Sequence, residues 1–117
     1  MHSQIQSKSD WYKPLVVLES PYSGRVSLHV EYAKVCLLNS LCRGEAPIAS
    51  HLLWTQTGLL DDNLTDERLL GIAAGLVWTA AADMVVFYTD LGWSKGMMQA
   101  ASTAEEARLP ILIRRLY

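Results

Sequence analysis

The sequence predicts a single α/β domain with a parallel sheet covered by helices on both faces. Three observations carry that expectation. Apolar runs of strand length alternate with segments of helical periodicity in the order β-α-β-α-β-α-β, and such alternation marks a parallel sheet with helical crossovers. The runs Leu15-Val16-Val17-Leu18 and Met84-Val85-Val86-Phe87-Tyr88 are apolar throughout and not only at every second residue, as strands buried on both faces require. The chain has 117 residues, enough for one domain with a core that needs no metal or disulfide staple.

Each element has its own signals. Residues 1–13 are polar and read as a loosely held N-terminal segment, with the domain running from 14 to 117. The first strand runs from Leu15 into Glu19 and stops at the turn residues Ser20-Pro21-Tyr22-Ser23-Gly24. Val26 to Arg43 reads as a helix with Val26, Val30, Ala33, Leu37 and Leu41 on one face, stopped by Gly44. Ala46 to Ser50 is a short second strand. His51 to Asn63 is a long connection, of the kind that often covers a site. Thr65 is a candidate N-cap, with Asp66 and Glu67 in the first turn of a helix reaching about Ala81. Leu69, Ile72, Ala73, Leu76 and Ala80 form its apolar positions. Met84 to Tyr88 is the third strand, and Ser94 caps an Ala-rich helix reaching about Arg108. The last strand is Ile111 to Leu116, where Arg114 and Arg115 suggest a guarded edge. The result is a flavodoxin-like three-layer domain with four parallel strands in the expected order 2-1-3-4. Its switch point lies between the first and third strands, at their carboxyl ends.

Several function classes lose weight. The formal net charge of -2 gives no basic field for bulk nucleic-acid binding, although a local basic patch stays open. Cys36 and Cys42 fall in one helix at a spacing that separates them around its axis, so they read as two buried free thiols in a reducing cytoplasm. Gly71 to Tyr88 is apolar enough to resemble a membrane span, but Asp83 interrupts it. It reads as a helix end, a turn and a strand, in a protein that does not enter a membrane. The N-terminus has no apolar stretch of signal-peptide type. There is no GxxxxGK[ST] loop, GxGxxG, GxSxG or zinc-ligand spacing, and no cofactor or metal is expected.

The switch-point rule brings four segments to one crevice: Glu19 to Gly24, Ser50-His51, Thr89-Asp90, and Ser94 to Met97. The start of the last helix is either an anion site, with Gly96 allowing close backbone approach, or a plain capped helix. Glu19 is either a general acid or hydroxyl binder, or the partner of a salt bridge to Arg25 or a loop cap. Asp90 either binds a sugar hydroxyl or acts in acid–base chemistry, or caps the turn before Gly92. His51 is a functional candidate by its strand-end position, with a hydrogen-bonded structural histidine as the alternative. Tyr22, Trp54 and Trp93 could stack on a nucleobase or belong to the core or a subunit contact. Asp61 and Asp62 read as solvated loop charges, and His29 has no assigned role.

The run into Ser20-Pro21-Tyr22-Ser23-Gly24, and Ala82 to Asp90 followed by Ser94-Lys95-Gly96, resemble nucleoside 2-deoxyribosyltransferase-like proteins. More closely, residues 14–116 are similar to a branch of small prokaryotic and phage proteins carrying VVLESPYSG, RGEAP-ASHLL-TQ and YTDLG-S-GM. The resemblance implies a crevice for a nucleoside, nucleotide or ribosyl derivative, and a homo-oligomer whose neighbouring subunit completes it. In the active family the last helix opens with Asp or Ser, then Gly two residues on, then a nucleophilic Glu four further. The matching positions here are Ser94, Gly96 and Ala100. An alanine cannot form a glycosyl-enzyme intermediate.

Two readings follow. The protein binds a nucleotide-like molecule through Ser20 to Gly24, His51, Trp54, Thr89, Asp90, Trp93, Ser94, Gly96 and Met97; in a phage it would sequester a host nucleotide signal. Alternatively it is an N-glycosidic hydrolase or transferase using Glu19 or Asp90. A structural or protein-interaction role is the remaining class. The exposed-looking apolar helix residues Leu69, Leu70, Leu76 and Trp78 also point to a homo-oligomer.

Overall fold

A computed structural model describes residues 12–117. Of the N-terminal segment expected to be loosely held, residues 1–11 lie outside the described residues. The elements are β1 (Leu15–Glu19), α1 (Val26–Cys42), β2 (Ala46–Ile48), α2 (Ser50–Leu53), α3 (Thr65–Ala81), β3 (Met84–Tyr88), α4 (Lys95–Glu106) and β4 (Ile111–Arg114). The sheet is parallel throughout in the order β2-β1-β3-β4. This is the expected α/β arrangement of flavodoxin-like type.

The two-residue period of the strands divides the core into two layers. Val16, Leu18, Val86 and Tyr88 point to α1 and pack with Tyr32 and Cys36. Val17, Val85 and Phe87 point the other way and pack with Met97, Ala100 and Ala104 of α4. The third long helix, α3, packs mainly on α4 and α2, and none of its residues joins either core cluster. It stands off the sheet, and the space beneath it matters below.

Several boundaries differ from the sequence expectation. The second strand ends at Ile48, and Ser50 opens α2 instead of closing the strand. Helical-turn bonds take over there: Thr55 Oγ1 donates to the His51 carbonyl at 2.9 Å and Gln56 N to Leu52 O at 3.2 Å. Leu64, not Thr65, occupies the cap of α3, in extended conformation and without a side-chain bond. α4 stops at Glu106 because Arg108 adopts φ 57°, which lets Leu109 N reach Ala104 O and Arg108 N reach Glu105 O. That is a Schellman turn with arginine in the place glycine usually takes. β4 ends at Arg114 because the next amides, Leu116 N and Tyr117 N, turn to the Asp90 carboxylate.

The buried face of α1 is Val30, Tyr32, Ala33, Cys36 and Ser40, while Leu41 is exposed. Tyr32 and Ser40 turn inward because their hydroxyls have acceptors there, Asp90 and Glu45. Both cysteines are free, but only Cys36 is buried; Cys42 is exposed at the helix end. Gly71 to Tyr88 divides between α3 and β3. Among the described residues no helix is long and apolar enough to cross a membrane.

Arg114, expected to guard an edge, instead forms an inward ion pair. Both guanidinium Nη atoms bond Glu45, Nη1 at 2.8 Å, and Nη1 also reaches the Tyr88 hydroxyl at 3.1 Å. Ser40 Oγ donates to Glu45 at 2.7 Å. Both charged side chains are about nine-tenths buried. Removing one partner leaves the other charge desolvated and unpaired. Glu45→Ala is therefore expected to lower the unfolding free energy by about 3–5 kcal/mol in urea titration. The double change Glu45→Met with Arg114→Leu should cost clearly less than that single one.

Candidate functional site

The alternation that buries Val17 against α4 also aims Glu19 there, two residues further along β1. Glu19 pairs with Phe87 in the sheet and has no β2 neighbour, because the β1–β2 pairing ends at Val17. Between this sheet end, the first turns of α4 and the detached α3 lies a cavity of about 350 Å³. That volume lies toward the lower end of the roughly 300–1,000 Å³ that ligand pockets span.

Glu19 is 9% exposed and makes no hydrogen bond or ion pair among the described residues. Neither a salt bridge to Arg25 nor a loop cap accounts for it. Burial alone pushes its pKa up to about 8, so at neutral pH the group is mostly an uncharged acid.

Next along the chain, Ser20 Oγ and His51 Nε2 share a hydrogen bond of 3.0 Å. The Nδ1 atom of His51 is enclosed and has no partner among the described residues. Burial holds the imidazole pKa down at about 4, which keeps the ring neutral. The pair has the spacing of a nucleophile and its base. It lacks a carboxylate on Nδ1, and a base this weak accepts protons poorly at neutral pH. Tyr22 stands edge-on to His51, with ring centroids 6.3 Å apart. The Tyr22 carbonyl accepts from His29 Nδ1 at 2.9 Å, which gives His29 a positioning role, and the Tyr22 hydroxyl accepts from Gln56 at 3.1 Å.

Ser94 caps α4 as expected: its Oγ accepts from Met97 N at 3.1 Å. Lys95 and Gly96, the first helical residues, keep the unpaired N–H groups of any helix start, and both line the cavity. Trp54 lines it as well. Ala100 places a methyl group in the wall where the resemblance called for a nucleophilic carboxylate.

Some predicted residues lie elsewhere. Pro21, Thr89, Asp90 and Trp93 are outside the cavity lining, and Gly24 borders an adjoining, more open hollow. The Asp90 carboxylate accepts from Tyr32 OH at 2.6 Å, from Leu116 N at 2.9 and 3.0 Å and from Tyr117 N at 3.2 Å. It is committed to clipping the last residues of the chain onto the turn before α4. Trp93 stacks on Phe87, with centroids 4.9 Å apart and planes at 29°. Thr89 N bonds Arg114 O. Asp61 accepts from Asn63 N, whereas Asp62 does line the cavity and faces Arg68 at 4.0 Å.

Sequence reasoning missed the wall contributed by α3: Arg68, Gly71, Ile72, Gly75, Leu76 and Thr79. The available signal was the four-residue spacing of Gly71, Gly75 and Thr79, a strip of small residues on one helix face. Gly75 is the tightest point: a Cβ there would sit 3.1 Å from Ser50 Oγ.

Fold and site define a class, a flavodoxin-like α/β domain with a strand-end cavity roofed by a helix that leaves the sheet. A family model described as a domain of unknown function (DUF7768) matches residues 14–114, and the chain belongs to that family. No curated protein matches it.

The Glu19 environment affects stability. A native pKa near 8 against an ordinary 4.5 means that the folded protein keeps a proton the unfolded chain releases. This contribution is complete below about pH 4.5 and is lost as pH rises toward 8, on the order of 5 kcal/mol in all. Glu19→Gln is expected to remove that slope. Urea unfolding of both proteins across this range should show the variant gaining on the parent as pH rises; parallel curves would contradict the protonated state.

Proposed function

We propose that the cavity binds a nucleotide or nucleoside-derived small molecule and holds it without glycosyl transfer. The observation that carries this reading is the methyl group of Ala100 in a cavity otherwise equipped for such a ligand. The amides at the start of α4, with Lys95 and Arg68 alongside, suit a phosphate. Tyr22 and Trp54 offer aromatic surface for a base, each contact worth roughly 1–3 kcal/mol where bases stack on proteins. Losing a nucleophile costs several orders of magnitude in rate, so retention without turnover is the consistent outcome. In a phage, capture of a host nucleotide signal would be one use of such a protein.

A second reading keeps N-glycosidic hydrolysis, because Glu19 is uncharged at neutral pH and so could protonate a departing base. Water would be the nucleophile, and Asp90, already bound to Tyr32 and the chain end, would take no part. Incubation of excess protein with nucleosides, nucleotides, cyclic nucleotides and ADP-ribose separates the two. Mass detection before and after denaturation is expected to show a depleted ligand recovered intact. Appearance of free base would favour the hydrolase instead.

The homo-oligomer belongs to the same proposal. Leu69, Leu70, Val77 and Trp78 are exposed on α3, and surplus apolar surface of this kind commonly marks an interface. Sedimentation is expected to give a mass above that of one chain, reduced by Leu70→Glu; a monomer at every concentration would contradict it.

A further inference from the structure

The cavity lining is sorted by polarity. Its buried part is Glu19, Ser20, Ser50, Thr79, Met97 and Ala100, and it carries no charge at neutral pH. Its outer part carries all the charged side chains, the exposed Arg68 and Lys95 and the half-buried Asp62 and Glu67, with Asp62 facing Arg68 at 4.0 Å. Thr79 spends its hydroxyl proton on the Gly75 carbonyl, and Ser20 is joined to His51. The Glu19 carboxyl makes no hydrogen bond among the described residues. Among the described residues the fully enclosed polar atom without a partner is His51 Nδ1, whereas Glu19 lines the cavity, where a ligand can bond its carboxyl.

A protonated carboxyl presents one O–H donor beside one carbonyl acceptor. Its complement is an edge with the reverse pattern, an acceptor beside a donor, as on an amide or amidine. We infer that Glu19 reads such an edge of a nucleobase at the cavity floor, while the anionic part of the ligand stays at the rim beside Arg68, Lys95 and the first turn of α4. This rests on the nucleotide-binding reading above and adds an orientation to it, base inward and phosphate outward. The reverse orientation would press an anion against a carboxyl with no counter-charge in a low-dielectric floor. A sugar at the floor would bring hydroxyls on every side, whereas Met97, Ala100 and Leu76 offer apolar surface suited to the faces of a flat ring.

Binding then depends on the proton of Glu19. The other titratable or charged groups lining the cavity are Tyr22 from the β1–α1 turn, His51 from α2, Asp62 before α3, Glu67 and Arg68 on α3, and Lys95 on α4. The His51 ring changes charge near pH 4, well below the range of interest.

The test is isothermal titration of adenosine, cytidine, their monophosphates and ADP-ribose, whose bases do not titrate from about pH 6 to about pH 10, a range centred on the Glu19 value of about 8. Affinity is expected to hold up to pH 8 and then fall about tenfold per unit. Glu19→Gln keeps a donor beside an acceptor and should bind with a flat profile. Arg68→Ala should weaken the monophosphates by about tenfold and leave the nucleosides unchanged. A parent profile flat through the whole range, a fall shared by Glu19→Gln, or an Arg68→Ala loss common to nucleosides and monophosphates would overturn the orientation while leaving nucleotide binding in place. If none of these compounds binds at any pH, the nucleotide-binding reading itself falls, and this inference with it.

Discussion

The unequal pairing of β1 with its two neighbours is the constraint on which the rest depends. On one side it pairs with β3 from Val16 to Glu19; on the other it pairs with β2 only from Leu15 to Val17. The last two residues of the strand are thus held straight by β3, and the β2 side is vacated. The chain after Ile48 turns into α2 and brings His51 beside Ser20. The cavity exists because one strand stops two residues before its neighbour, and because α3, which continues from that side, rests on α4 and α2 instead of the sheet.

Two carboxyl groups near the strand ends show how local donors decide chemistry. Glu19 and Asp90 both stand at the carboxyl ends of central strands. Glu19 meets burial without a donor and becomes a neutral acid near pH 7. For Asp90 burial also pushes the pKa up, but the Tyr32 hydroxyl and the amides of Leu116 and Tyr117 outweigh it and hold the group below its ordinary value. The first is left facing the cavity without a partner among the described residues, and the second is a structural anchor.

The sheet was legible in the sequence because short continuous apolar runs around paired valines, bounded by turn residues, have few other uses, and the strand ends placed Glu19, Ser20, His51 and Ser94 around one crevice, as the cavity lining does. The direction of turn residues was not legible. Asp90 turned away because Tyr32 lies 58 residues earlier in the chain, a contact that no local pattern announces. Trp93 turned onto Phe87, a nearby residue of β3, instead of toward the cavity. The roof was not legible either. The large apolar residues of α3 at helical spacing do not mark its inner side: Leu69 is 57% exposed, and the buried residues are Gly75 and Thr79. A helix that covers a cavity, and not a packed core, has no need of large apolar side chains on that face.

The contact between Gly75 and Ser50 has a consequence for what the protein can admit. The walls supplied by β1 and α4 are fixed by the core, but the roof height is set where α3 passes over α2, and there the spacer is a hydrogen atom. A methyl group would stand 3.1 Å from the Ser50 hydroxyl, closer than most such contacts allow. α3 would have to lift by a few tenths of an ångström or Ser50 would have to turn. The spacing between α3 and α2 is thus set by a residue with no side chain, and a larger residue at position 75 would alter either the height of the cavity roof or the direction of the Ser50 hydroxyl.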